Sequence, residues 1–346
     1  TLALTGELER HRGIVVADRK LATELVYGVL RRRGQLDAVI AARLSRPLNR
    51  VDAEILDILR LATYQLAVLD RVPDYAAVNE AVEAARRLRG KKVAAFVNAV
   101  LRRLQREIDG KNLDQLALES AKGEGDAATR LAISCSLPLV LAREWSVILG
   151  DEAAEALGRA LLTPAPITIR AREGRIDPEA LKVRLEAEGA RVDHGRYAPG
   201  ALRVHPGGGD RLWTPGESAS YHEGLWTVQD EAAQLVSLLL APTPGERVLD
   251  ACCGLGGKTT HLAEIMGAEA SVGAGASVGA EGPLFAVDKS ARKLDLLDEH
   301  LQRLGLACAF RQGDLTAAGS LGEGVFDRIL LDAPCSGLGV LRRHPD

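Results

Sequence analysis

The stretch from Glu246 to Met266, ERVLDACCGLGGKTTHLAEIM, constrains the fold of this chain more than any other. A short apolar strand ends in Asp250, a glycine-rich turn follows, and an amphipathic helix closes the unit. The next segment, PLFAVDKSARKLDLLDEHLQRLG, repeats strand, acid and helix, and CAFRQGDL and FDRILLDAPC supply two further strands. Strands that alternate with helices join through right-handed crossovers into a parallel sheet. The pattern predicts an α/β Rossmann-like domain over residues 223–346. Within it, residues 267–282 (GAEASVGAGASVGAEG) are too poor in bulky side chains to pack and are expected as a mobile surface insertion with no function of its own.

Upstream the periodicity changes. From Ala17 to about Arg106, segments such as DRKLATELVYGVLRRRG and DAEILDILRLATYQLAVLD place apolar residues three or four apart, with short connections, as in an all-α helical bundle. A first domain is expected over residues 1–110. The polar, glycine-punctuated stretch that follows predicts a linker over 111–128. Residues 129–222 mix helices (LPLVLAREWSVIL, PEALKVRLEAEG) with strand-like pieces (PITIRAR, GALRVH) and are expected as a small α/β intermediate domain. At 346 residues, more than one core is needed.

Composition narrows the function classes. Apolar residues at 47% and charged residues at 26% suit a globular protein, no apolar run is long enough to span a bilayer, and the start, TLALTGELERHRG, lacks the pattern of a signal peptide. The five cysteines are odd in number and scattered, which fits a reducing compartment, and the expected location is the cytoplasm. Metal binding is not expected, because Cys252 and Cys253 are adjacent and no histidine cluster accompanies them. Net charge is −3, yet residues 1–110 carry 20 Lys+Arg against 14 Asp+Glu, so the helical part is the basic one. A basic helical face is either a solvated surface or a polyanion-binding one.

The glycine turn admits two readings. Gly257-Lys258-Thr259 ends as a phosphate-binding P-loop does, but that motif requires glycine where Cys252 stands. The second reading accounts for more residues. An open parallel sheet binds its ligand beyond the carboxyl ends of its strands, where a glycine turn lets backbone approach and strand-end acids grip hydroxyls. Asp250, Asp288, Asp314 and Asp332 each end one of the four strands. A carboxylate after the second strand suits a ribose diol, and one after the third suits an adenine amino edge. Adenosylmethionine fits this set better than a dinucleotide does.

Cys335 follows Asp332 and Pro334 at the same edge. A lone cysteine is more often inert packing than a nucleophile. Position argues otherwise here, because methylating cytosine at C5 requires a thiolate to add first at C6 and an acid to contact N3 and the amino edge of the base. Asp332 is placed for that contact.

The motifs VQDEAAQLVSLLL, GERVLDACCGLGGKTTHLAE, AVDKSARKL and DRILLDAPCSGLGVLRRHPD resemble those of the RsmB (Sun/Fmu) family of bacterial 16S ribosomal RNA cytosine-5 methyltransferases. The likeness covers nearly the whole chain, with residues 1 to about 110 similar to the NusB-like helical RNA-binding domain of that family. It implies S-adenosyl-L-methionine as cofactor, held by Cys252, Cys253, Gly254, Leu255, Gly256, Gly257 and Lys258. It also implies Asp288 at the ribose, Asp314 by the adenine and Asp332 between donor and target base. The implied partner is 16S ribosomal RNA, unassembled or partly assembled, bound by a monomer with neither membrane nor metal.

Two departures stand out. The family loop reads C-A-A-P-G-G-K, whereas Cys253, Gly254 and Leu255 occupy its middle here, which should loosen the turn. In the family, moreover, the Pro-Cys cysteine, here Cys335, assists product release, and attack comes from a second cysteine further downstream. Only 11 residues follow Cys335. The chain is therefore expected to be C-terminally truncated within its catalytic domain and inactive by itself. A NusB-type RNA-binding module without catalysis and, less favoured, a P-loop-like NTPase remain as alternative functions.

Overall fold

The computed structural model describes residues 2–11, 13–108, 110–122, 125–205, 213–268, 282–317 and 325–345. The glycine-rich tract expected as an insertion falls almost entirely outside these residues. The chain divides into two compact units, one formed by 1–165 with 337–346 and the other by 166–336.

The first unit is helical: α1 (Leu2–Arg10), α2 (Val16–Arg31), α3 (Arg33–Ala41), α4 (Ala53–Val68), α5 (Asp74–Arg89), α6 (Lys91–Ile108), α7 (Leu113–Ala121), α8 (Ala127–Ser134), α9 (Leu139–Leu149) and α10 (Asp151–Leu161). Apolar stripes of α3, α4 and α6 meet in a core that includes Leu36, Ile40, Ile55, Leu59, Leu101 and Leu104. Buried polar groups bind the helices together. Arg60 of α4 makes a two-pronged pair with Asp37 of α3, at 2.7 and 2.8 Å.

The segment expected as a linker is largely structured. Asn112 caps α7 through a reciprocal box with Gln115, and Leu113, Leu116 and Ala117 are buried in the same core. The first compact unit consequently runs on through α8, α9 and α10. The LPLVLAREWSVIL helix, expected in the intermediate domain, is α9 of that unit.

The second unit holds two sheets. Strands β1 (Ile167–Ala171), β2 (Arg191–His194), β3 (Ala201–His205) and β4 (Trp226–Val228), with helices α11 (Pro178–Ala187) and α12 (Ala219–His222), build an antiparallel sheet of order β2-β3-β1-β4. Helix α13 (Glu231–Leu240) leads into a parallel sheet formed by β5 (Val248–Asp250), α14 (Gly257–Ile265), β6 (Leu284–Asp288), α15 (Ala291–Leu304), β7 (Ala309–Gln312) and β8 (Arg328–Leu330). Its order is β7-β6-β5-β8, with every neighbouring pair parallel. The chain steps outward from β5 to β7 and then crosses to the other side of β5, so the strand order reverses between β5 and β8. That switch is where an open α/β sheet leaves a crevice for ligand. Among the described residues no single helix is long and apolar enough to cross a membrane.

Candidate active site

The turn after β5 is tied down by backbone. Cys253 N–H donates to the Val287 carbonyl (3.0 Å), Gly256 N–H to the Cys253 carbonyl (2.9 Å), and Gly254 N–H to Asp288 Oδ2 (3.0 Å). Gly254 and Gly256 both have left-handed backbone, with φ of +57° and +85°. A Cβ on Gly256 would lie 2.3 Å from Leu297 Cδ1, so this glycine lets the turn close against α15. Gly257 opens α14 with nothing within 4 Å of where its Cβ would be, leaving backbone accessible at a helix N-terminus.

Acids converge on the same end of the sheet. Asp250 is 1% exposed, its Oδ2 accepts from the Thr259 hydroxyl at 2.7 Å, and burial pushes its carboxyl up to about 6. Asp288 accepts from the backbone N–H groups of Gly254 and Ser290, and Lys293 Nζ stands 3.7 Å away. Asp314 lies just past β7, where hydrogen bonds from the Thr316 hydroxyl and N–H hold its carboxyl below the usual range. Asp332 lies two residues past β8 and pairs with Lys258.

The two cysteines of the turn differ. Cys253 is buried behind the loop, and burial pushes its thiol up to about 12. Cys252 is half-buried, its thiol raised by burial and then by Asp288 and Asp250. Neither is a ready thiolate at neutral pH. Cys335 is exposed.

These residues share one cavity of about 760 Å³. It is lined by Cys252, Cys253, Gly254, Leu255, Gly257, Lys258, Asp288, Asp314, Asp332 and Cys335, which are the residues singled out from sequence except Gly256. Gly256 stands behind the loop and shapes it. The structure adds Asp250, noted in sequence only as a strand-end acid, and Gln229, Lys289 and Lys293, which lie in the quoted motifs VQDEAAQLVSLLL and AVDKSARKL without a role assigned there. Carboxylates at successive strand ends and open backbone at Gly257 fit a nucleoside that bears a cationic, amino-acid-like tail. Asp332, Ala333, Pro334 and Cys335 line the same cavity.

Residues 2–106 match the family model described as the NusB family, and residues 237–346 match that of the 16S rRNA methyltransferase RsmB/F. The probable ribosomal RNA small subunit methyltransferase B of Bacillus subtilis (strain 168) is 37% identical over 332 residues, covering 95% of this chain and 68% of that protein. The ribosomal RNA small subunit methyltransferase B of Pseudomonas putida is 36% identical over 330 residues, covering 95% of this chain and 69% of its own. Among solved structures, the protein called PH0851 aligns at a TM-score of 0.69 and 23% identity over 97% of this chain and 70% of that one, a likeness of fold.

Proposed function

The chain belongs to the ribosomal RNA small subunit methyltransferase B family, and from that premise we propose that its site methylates C5 of a cytosine in 16S ribosomal RNA through a covalent adduct at C6. The methyl donor is S-adenosylmethionine, which supplies an electrophilic methyl on a sulfonium. The observation that carries the proposal is a single cavity in which the glycine turn, Asp288 and Asp314 stand together with Asp332, Pro334 and Cys335.

Each residue has a task in that chemistry. Asp288, at the end of β6, offers carboxylate oxygens to a ribose diol, and Asp314, past β7, faces the adenine edge. The turn from Cys252 to Lys258 supplies backbone against the donor, and Gly256 sets its curvature. Asp332 accepts from the amino edge of an extruded cytosine, and Lys258, its ion-pair partner, holds the carboxylate in place while the base docks. A thiolate adds to C6, the C5 carbon takes the methyl group, and loss of the C5 proton then expels the thiolate. The resemblance assigns Cys335 to the release step, beside the base and not as first attacker. The basic helical unit is read as the part that engages RNA phosphates, as a monomer and in the cytoplasm.

No cysteine follows Cys335 in these 346 residues. The polypeptide is expected to bind donor, and any methyl transfer by it requires a thiolate from among its own cysteines. The check is tritium transfer from labelled S-adenosylmethionine to unmodified small-subunit RNA, with donor binding measured in parallel. Incorporation would make Cys335 the nucleophile, and absence of donor binding would overturn the site assignment itself.

A further inference from the structure

Gln229 lines the cavity between β4 and α13, is 6% exposed, and plays no part in the chemistry above. Its surroundings fix which way the amide faces. Its backbone N–H donates to the Thr168 carbonyl at 3.0 Å, and its own carbonyl accepts from Gln234 Nε2 at 2.9 Å. Its Oε1 accepts from Arg170 Nε at 2.7 Å. A guanidinium only donates, so the oxygen must face Arg170 and the NH2 group must face away from it. Arg170 cannot swing aside, because it is paired with Glu264 and the two side chains are 3% and 2% exposed. Gln229 lines the binding cavity, and its buried Nε2 is the donor of that side chain left without a partner among the described residues.

Position selects the ligand atom. Arg170 Nη2 stands 3.5 Å from the Thr260 hydroxyl in the first turn of α14, beside the Thr259 that bonds Asp250, so Gln229 belongs to the β5 end of the cavity. Asp288 and Asp314 lie past β6 and β7, one and two strands away, each step being about 4.8 Å. An adenosine reaching toward those two acids leaves its amino-acid tail over β5. The acids of the cavity suit the ammonium, the diol and the adenine amino group of the donor. Its only anionic group, the α-carboxylate, needs N–H donors instead.

Resting on the donor-site reading above, we infer that Gln229 is a binding residue whose Nε2 donates to the α-carboxylate of the methyl donor, with Arg170 and Glu264 as the positioning pair that aims it. The test is calorimetric binding of S-adenosylhomocysteine and of 5′-methylthioadenosine, which lacks the amino-acid tail, to the 346-residue protein and its Gln229→Glu variant. Glutamate is isosteric, keeps an acceptor for Arg170 and puts a carboxylate oxygen where the N–H stood. The expected result is a loss of at least about tenfold in affinity for S-adenosylhomocysteine, with 5′-methylthioadenosine unchanged and the melting temperature maintained. Unchanged affinity for S-adenosylhomocysteine, or equal losses for both ligands, would overturn the inference. Failure of the unsubstituted protein to bind S-adenosylhomocysteine would instead overturn the donor-site reading, and this assignment with it. A second readout needs no variant: the unsubstituted protein should bind S-adenosylmethionine at least about tenfold more tightly than its decarboxylated form, and equal affinities would overturn the assignment.

Discussion

Gln35 in the helical unit and Gln229 in the sheet unit are both side-chain amides removed from water, at 0% and 6% exposure. Gln35 is fully engaged. Its Oε1 accepts from Arg32 at 2.9 Å, and its Nε2 donates to Asp114 Oδ1 at 2.8 Å and to the Ser134 carbonyl at 2.7 Å, tying α3 to α7 and α8. Gln229 is engaged only through its oxygen, and its nitrogen has no partner among the described residues. The charged groups follow the same division. Arg60 is answered on both prongs by Asp37, whereas Asp250 is held in a site that penalises its charge. Gln35, with every bond made, serves folding, whereas Gln229 lines a cavity with one donor withheld and is placed to serve a ligand.

The largest expected effect breaks the first half of that comparison. Gln35→Leu removes three hydrogen bonds and leaves the Ser134 carbonyl and the Asp114 carboxylate short of a donor inside the bundle. Urea unfolding should show a loss of about 3 kcal/mol, with affinity for S-adenosylhomocysteine unchanged. A loss under about 1 kcal/mol would mean that the Gln35 network is not what joins α7 and α8 to the core. Asp250→Asn should act in the opposite direction. An acid raised from 3.8 to about 6 in the folded chain costs nothing below pH 3.8, where both states are protonated. As pH rises from there the unfolded chain ionises first, and the cost is complete above pH 6. Asparagine removes the charge and still accepts from Thr259. The variant should therefore gain about 2 kcal/mol over the unsubstituted chain at pH 8, and the gain should vanish near pH 3.5. Thermal melts across that range check it, and a gain independent of pH would show that Asp250 titrates normally.

Much of this architecture is legible in the sequence because it is locally encoded. The helical stripes of α2 to α6, the glycine turn and the acid at each strand end all follow from short-range patterns. Helix α7 was hidden by its polar flanks, although Asn112 and Gln115 carry the spacing of a capping box, a signal that outweighs the nearby glycines. Strands β2 and β4 are four and three residues long, too short for alternation to register, and exist because β3 and β1 template them. Gln229 falls in the motif VQDEAAQLVSLLL, but its role could not be read from it. Its role depends on an arginine 59 residues away, and that arginine is held by a glutamate 94 residues further along the chain from itself.

The smallest expected effect concerns Cys253, where the family pattern carries alanine. The side chain packs in the core of the parallel sheet with Leu262, Ala286 and Leu297. With its thiol pushed up to about 12 by burial, it is protonated at any pH at which the protein works. It should behave as a small apolar residue and not as a reactive one. Cys253→Ala should cost about 1 kcal/mol in urea unfolding, the size of a deleted core methyl, and leave donor affinity unchanged. Brief alkylation of the native chain with N-ethylmaleimide, mapped by mass spectrometry, should mark the exposed Cys335 first and the half-buried Cys252 more slowly. The buried thiols of Cys135, Cys253 and Cys308 should react only on unfolding. Labelling of Cys253 at the rate of Cys335 would show that the glycine turn opens readily, in which case the rigid wall invoked for Gln229 would not hold either.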